Sequence, residues 1–502
     1  AGLADGIDVL GSLGGNVTIT GNVVATGTSD YQMGVGNDLG TLTLTGTHSA
    51  NGTQALLDQG TIVFSGSGKL NAAGVVRIGT ASTAVVTVNT GTSIKTALTG
   101  ATDGLIMGSG GGNVSNVLNI EGGTIDLGSS LFNLNSSTYG DPTSDPIYGP
   151  PPPVVATINL DAGLLKTGGF DGGTRADSTN AVIFNFHGGT LQAGASSTTS
   201  LAARGQKNVI GAGGAIIDTN GFNDTVQAAF SGAGNFTKTG VGTLTLTNSS
   251  TFLGTMIINQ GAVALTTSAG NDVLGDTRGD LSVNTGAILN LAGISNLIRD
   301  ELSGGGLITS GINGRTTQMT IGNNNGTNTF AGTITDTGTA IVNITKLGTG
   351  TQTFTGANTF TTLNINAGAI VAGANGTFDN LVGHIVVNNA SGLVIAGGVA
   401  SAASVDIGQS LNADFANVAS GAGTLSGTVT RLTGGANSYV AGVAGTGTLV
   451  LSGQQVLNGA TVATVDRGVV VYGGSAQLNS PTTKLIEGSS TATTSAVNLS
   501  IA

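Results

Sequence analysis

The sequence predicts an all-β protein, a single continuous parallel β-solenoid drawn out into an elongated rod over residues 1–502. Three observations predict it. A short strand–corner–strand unit recurs along the chain, a longer unit encloses it, and the composition suits stacked strands. Gly supplies 87 of the 502 residues, 39% are hydrophobic and only 8% are charged. Helical bundles and coiled coils need far more charge and Leu than this. Disordered chains pair low hydrophobicity with high charge. Collagen needs Gly at every third position, a period this chain does not keep. With no Cys at all, a disulfide scaffold is excluded.

The short unit is an apolar residue, two turn-type residues, Gly, a small or β-branched residue, then alternating apolar positions. It reads Leu57-Asp58-Gln59-Gly60-Thr61-Ile62 and Ile120-Glu121-Gly122-Gly123-Thr124-Ile125. It returns at Phe186-His187-Gly188-Gly189, Ile258-Asn259-Gln260-Gly261, Val283-Asn284-Thr285-Gly286, Ile365-Asn366-Ala367-Gly368 and Val465-Asp466-Arg467-Gly468. Thr, Val and Ile fit a pleated, half-buried surface. Alternation sends one set of side chains inward. Gly after a turn-type residue supplies the positive φ of a tight corner. One such unit cannot close a core, so many must stack.

The longer unit runs from Gly240-Val241-Gly242-Thr243-Leu244-Thr245-Leu246 through Phe252 to Gly261, and again from Gly348-Thr349-Gly350-Thr351-Gln352-Thr353-Phe354 through Phe360 to Gly368. A Thr-Lys pair precedes each, at Thr237-Lys238 and Thr345-Lys346. The spacing of the marker glycines suggests coils of about 20–22 residues, stacked at about 4.7–4.9 Å.

Asn235-Phe236-Thr237-Lys238-Thr239-Gly240-Val241-Gly242-Thr243-Leu244-Thr245-Leu246 resembles the passenger-associated transport repeat, also called the autotransporter-associated β-strand repeat. The stretch Gly213–Phe222 resembles what precedes that repeat in large secreted proteins of Gram-negative-type bacteria. The likeness covers about 155–270 and 335–375 and is only stylistic elsewhere. It implies a right-handed parallel β-helix exported to the cell surface, and it carries no catalytic set to transfer. A complete autotransporter ends in a membrane barrel, whereas this sequence ends at Ala502 within passenger-like sequence. The expectation is a barrel cleaved or omitted, or a chain secreted and assembled otherwise. The start at Ala1 suits a mature secreted protein freed of its signal peptide, or a cloned fragment.

One segment breaks the pattern. Pro142 to Pro153 hold six of the seven prolines, with Tyr139 and Tyr148 beside them. Proline cannot donate into a central ladder, so 139–153 is expected to protrude from the rod as a loop. Tyr139, Tyr148, Pro150, Pro151, Pro152 and Pro153 are the candidate interaction residues, a stiff docking arm. The plainer reading, which the sequence favours, is an insertion tolerated at a coil corner.

Signs of chemistry are sparse. Glu121 with Asp126, Asp141 with Asp145, and Asp276 with Asp280 are the carboxylate pairs that a polysaccharide-cleaving solenoid would use, and chance is the better account of them. His48, His187 and His384 lie too far apart in sequence for a metal site. His187 reads as a solvated turn residue. Gly66-Ser67-Gly68-Lys69-Leu70 lacks the first Gly and the final Ser or Thr of a phosphate loop. Gly270-Asn271-Asp272-Val273-Leu274-Gly275-Asp276 resembles one calcium-binding nonapeptide. Asp272 and Asp276 are therefore weak calcium candidates, because such sites need consecutive copies. No catalytic residue and no cofactor is expected.

The balance of 15 Lys and Arg against 26 Asp and Glu, a net charge of −11, argues against nucleic acid, and no apolar run reaches the ~20 residues of a membrane span. The expected function is that of a non-enzymatic, secreted, extracellular structural protein at the cell surface. Its copies would associate as a homopolymer, end to end or laterally, into a fibre, sheath or surface layer. Cell-surface polysaccharide or a host surface are further expected partners. The alternative is a monomeric adhesin or passenger spacer, and a polysaccharide-acting enzyme comes third.

Overall fold

Alternation of inward and outward side chains recurs in many of the described strands. Thr41–Leu44, Val75–Ile78 and Thr243–Leu246 each show a half-buried residue followed by a buried one, twice over. In a strand that periodicity places one face in the core. The computed structural model describes residues 7–499 apart from 10–14, 26–29, 36–39, 80–82, 101, 108–114, 135–154, 172–181, 197–200, 202–205, 267–273, 292–293, 337, 374–376, 388–391, 396–398, 408–415, 418–421, 432–437, 442–447, 457–461, 466–467, 474–477, 480–483 and 488–494. Among the described residues there is no helix, and the paired strands lie parallel. The chain is an all-β solenoid. It divides into two compact units, 1–254 with 273–275, and 255–272 with 276–502.

In the first unit each coil passes through three faces. One coil runs along Ser115–Glu121, turns at Gly122-Gly123, follows Thr124–Asp126, turns at Gly128, and follows Leu131–Leu134. It then returns to the first face at Val155–Leu160, in register with where it began, Val117 beside Thr157. The next coil repeats the route through Leu164–Thr167 and Gly169–Asp171. On the first face the register carries on without a shift from Thr41 to Thr61, Val85, Val117, Thr157, Ile183 and Lys207. On the third face it shifts between Met33 and Gly34 and between Asp103 and Leu105.

Coil length varies more than the glycine spacing suggests. Residues in hydrogen-bonding contact on neighbouring coils are separated by 20 residues at Asn223 and Thr243, 26 at Asn159 and Asn185, 32 at Thr87 and Asn119, and 40 at Asn119 and Asn159. The first-face ladder keeps its register across these unequal separations. The longest coil contains the proline-rich stretch. Tyr139, Tyr148 and Pro150 to Pro153 themselves lie outside the described residues.

The second unit is built alike. One face takes Asn296–Arg299, Thr316–Ile321, Ile341–Lys346 and Thr362–Ile365 in continuous parallel register. Another takes Leu281–Val283, Leu302–Gly304, Asn328–Phe330, Thr351–Phe354 and Ala369–Ala372.

The interior of the first unit contains a run of phenylalanines. Phe132, Phe170, Phe184, Phe186, Phe230, Phe236 and Phe252 are all buried, and consecutive ring centroids lie 4.2–5.9 Å apart. The second unit has a shorter run, Phe330, Phe354 and Phe360. Apart from the more closely stacked Phe184–Phe186 pair, these separations fall in the ~4.5–7 Å range of favourable offset and edge-to-face contacts.

Candidate functional site

The coil corners concentrate the polar chemistry of this chain. In both longer repeats a strand enters its corner on a lysine, at Phe236–Thr239 and Ile341–Lys346. Lys238 shares its parity with buried Phe236, and Lys346 shares its parity with buried Ile344, so both point inward and both are fully buried. The Lys238 ammonium donates to the carbonyls of Thr239 and Gly240, each at 2.7 Å. The Lys346 ammonium donates to the carbonyls of Leu347 and, at 3.0 Å, Gly348. Each lysine thus closes the turn that follows it. Burial pushes the Lys238 ammonium down to about 8, while Asp218 and Asp224 pull it up. Burial lowers Lys346 too, against Asp300.

Two further devices complete these corners. Glycine closes each repeat with a left-handed backbone, φ 70° at Gly261 and 64° at Gly368, a conformation that costs other residues strain. Asparagine bridges coils: Oδ1 of Asn223 accepts the Thr243 N–H at 2.9 Å, Asn313 that of Thr339 at 3.1 Å, and Asn325 that of Thr349 at 2.8 Å. The amide oxygen satisfies a backbone donor at or just before the start of the next strand.

Replacing Lys238 by Met is expected to cost about 2 kcal/mol. Two turn carbonyls lose their donor at about 1–3 kcal/mol each, partly offset by relief of the ammonium's desolvation. Lys95→Met serves as the comparison. The Lys95 side chain is 60% exposed and lies 3.7 Å from Asp126, so its loss should stay within about 0.5 kcal/mol. Urea denaturation of the two variants checks both values.

The histidines separate by environment. His48 is fully buried, its Nδ1 2.9 Å from the hydroxyl of buried Tyr31. Burial lowers the His48 pKa and raises that of Tyr31 to about 12. His187 sits at an exposed corner, its Nδ1 2.6 Å from Asp161 Oδ1 on the preceding coil. The solvated turn residue expected from the sequence therefore has a carboxylate partner. His384 belongs to the strand Thr377–Val387.

Because the folded state holds His48 below its ordinary value of 6.5, the unfolded chain takes up the proton first as pH falls. Stability is then expected to be unaffected above about 6.5 and to fall progressively below it. His48→Leu should flatten that decline in acid-denaturation curves. An unchanged decline would place the acid sensitivity elsewhere.

Glu121 ends a strand on the first face, whereas Asp126 lies on the second, facing Lys95. Asp141, Asp145 and Asp272 lie outside the described residues. Asp276 Oδ1 accepts the Arg278 N–H at 2.8 Å, and its carbonyl accepts from the buried Arg299 guanidinium at 2.8 Å. Asp280 accepts the Glu301 N–H at 3.2 Å, and burial raises its pKa. Among the described residues no three His, Asp or Glu side chains are placed to share a metal ion. The Gly66–Leu70 stretch is a corner whose Lys69 points outward, exposed. No helix among the described residues is long and apolar enough to cross a membrane, which says nothing of β-barrels.

The sequence reading named the Thr-Lys pairs but not the burial of the lysines. Parity within Phe236–Thr239 carries that signal, since Lys238 alternates with Thr237 and Thr239 and falls on the side of Phe236. The asparagine bridges have no comparable local signal, because each partner lies 24–26 residues away or, at Asn223, 20.

These corners coincide with a family likeness. The family model described as Passenger-associated-transport-repeat matches residues 236–265 and 344–372, the two stretches in which a buried or corner-facing lysine segment leads through a Thr-x-Thr strand to the closing glycine. No curated protein and no solved structure matches the chain.

Proposed function

We propose that this chain, a β-solenoid bearing two passenger-associated transport repeats, is a non-catalytic extracellular structural protein. Its copies assemble into a bacterial surface fibre, sheath or surface layer. The observation that carries the reading is the repeat itself, folded into coils whose corners are closed by buried lysine, left-handed glycine and bridging asparagine. Such coils are stabilised by backbone ladders and a dry interior, and each rests chiefly on its neighbours. That is an architecture for spanning distance rather than for enclosing a substrate. Outward rows of hydroxyls and amides, such as Asn119, Asn159 and Asn185, add side-chain ladders along the stack.

The second reading is a monomeric adhesin or passenger spacer, and the transport repeats favour it equally. Negative-stain electron microscopy of the purified protein separates the two. Fibres or sheets that grow with concentration support assembly, whereas isolated particles at every concentration support the spacer.

A further inference from the structure

From one face of the first unit, we infer that copies of this chain associate laterally, face to face, through the outward side of residues 60–64 and of the strands from Ala84–Asn89 to Val182–Phe186. The inference rests on the assembly reading and names its surface. Two outward rows run up this face. Val85, Val117, Thr157 and Ile183 stand in register in one. In the other, Asn185 Nδ2 donates to Asn159 Oδ1 at 2.8 Å, Asn159 Nδ2 to Asn119 Oδ1 at 2.8 Å, and Asn119 Nδ2 to Thr87 Oγ1 at 3.3 Å.

A second copy is the partner that fits, for three reasons. First, neither row carries a charged side chain from Thr61 to Asn185, in a chain of net charge −11. Two acidic copies approach with least repulsion where neither presents charge. Lys207 on the next coil, with Glu121 and Asp161 at the corner, bounds the neutral zone. Second, the register on this face has no shift, unlike the third face at Met33/Gly34 and Asp103/Leu105. An unbroken ladder gives a regular surface on which a row of β-branched side chains and a row of amides meet the same rows of another copy, as in a steric zipper. Third, the size suits repetition. Five coils at about 4.8 Å, crossed by strands about 20 Å long, offer roughly 500 Å² per copy. One such contact is weak beside the ~800 Å² of a stable pair, so it gains strength in an array.

The test compares four proteins, each first shown by circular dichroism and thermal melting to be folded: wild type, Thr157→Lys, Asn159→Asp, and Thr190→Lys on the second face of the same unit. Sedimentation velocity over a hundredfold concentration range, with electron microscopy, reads association. The expected result is that wild type and Thr190→Lys associate alike, while Thr157→Lys and Asn159→Asp need at least tenfold higher concentration. If all four associate alike, the face is wrong and the assembly reading stands. If wild type stays monomeric throughout, both fall. The near-isosteric Asn159→Asp keeps the test decisive should Thr157→Lys fold poorly.

Discussion

Gly332→Ala is expected to destabilise the second unit by about 3 kcal/mol or more. A Cβ at Gly332 would lie 1.9 Å from the Gly306 carbonyl oxygen on the preceding coil and 2.6 Å from Phe330 Cζ. The column continues upward, since a Cβ at Gly356 would meet the Gly332 carbonyl oxygen at 2.0 Å. Backbone cannot rotate away as a side chain can, so the coils must separate locally, and separation breaks ladder hydrogen bonds on both sides. Overpacking a soft core costs about 1–3 kcal/mol, and a rigid carbonyl lies at or above the top of that range. Gly21→Ala supplies the control. Nothing lies within 4 Å of a Cβ there and φ is not positive, so the change should stay within about 0.5 kcal/mol. Chemical denaturation of the two variants gives the comparison, and equal midpoints would mean that the coils do not stack this closely.

Phe184→Ala is expected to cost the first unit about 3–5 kcal/mol. Phe184 is fully buried between Phe170, at 5.7 Å, and Phe186, at 4.2 Å with rings 20° from parallel. Truncation removes a ring from the middle of the run and leaves a void that the ladders hold open, because their register on the first face is fixed above and below. Stability in a stacked fold is close to a sum of neighbour terms. Amide exchange should therefore accelerate most in Val155–Leu160, Val182–Phe186 and Gln206–Ile210. Leu253→Ala offers the contrast, since Leu253 is 61% exposed and its loss should be nearly silent. A uniform rise in exchange across the unit would point to a single cooperative core in place of stacked coils.

Much of this architecture is legible in residues a few positions apart. Gly261 and Gly368 announce corners because a left-handed backbone favours glycine, and Thr243-Leu244-Thr245-Leu246 announces a half-buried strand by alternation alone. What escapes local reading depends on stacking. Gly332 must be glycine because of a carbonyl 26 residues earlier in sequence, and Asn325 is fixed by the Thr349 N–H on the next coil. The separation between coils runs from 18 to 40 residues, so no constant period reveals such pairs. Lys238 lies between these cases. Strand parity places it inside, but the two carbonyls that make the burial tolerable become visible only with the turn. The candidate interaction residues Tyr139, Tyr148 and Pro150 to Pro153 and the calcium candidate Asp272 fall outside the described residues. Asp276, the other calcium candidate, accepts the Arg278 N–H within its own turn through Oδ1.

Distance along the first unit is counted in coils, not in residues. The chain has no Cys, so paired spin labels can be introduced cleanly on outward positions of the first face. With one label fixed at Thr41 and the second at Val117, Thr157, Ile183 or Lys207, pulsed dipolar spectroscopy should give separations rising by about 4.8 Å per coil, to about 29 Å at Lys207. The step from Val117 to Thr157 spans 40 residues and should equal the step from Ile183 to Lys207, which spans 24. Steps that scale with residue number, or separations that fail to rise in order, would contradict the stacked solenoid.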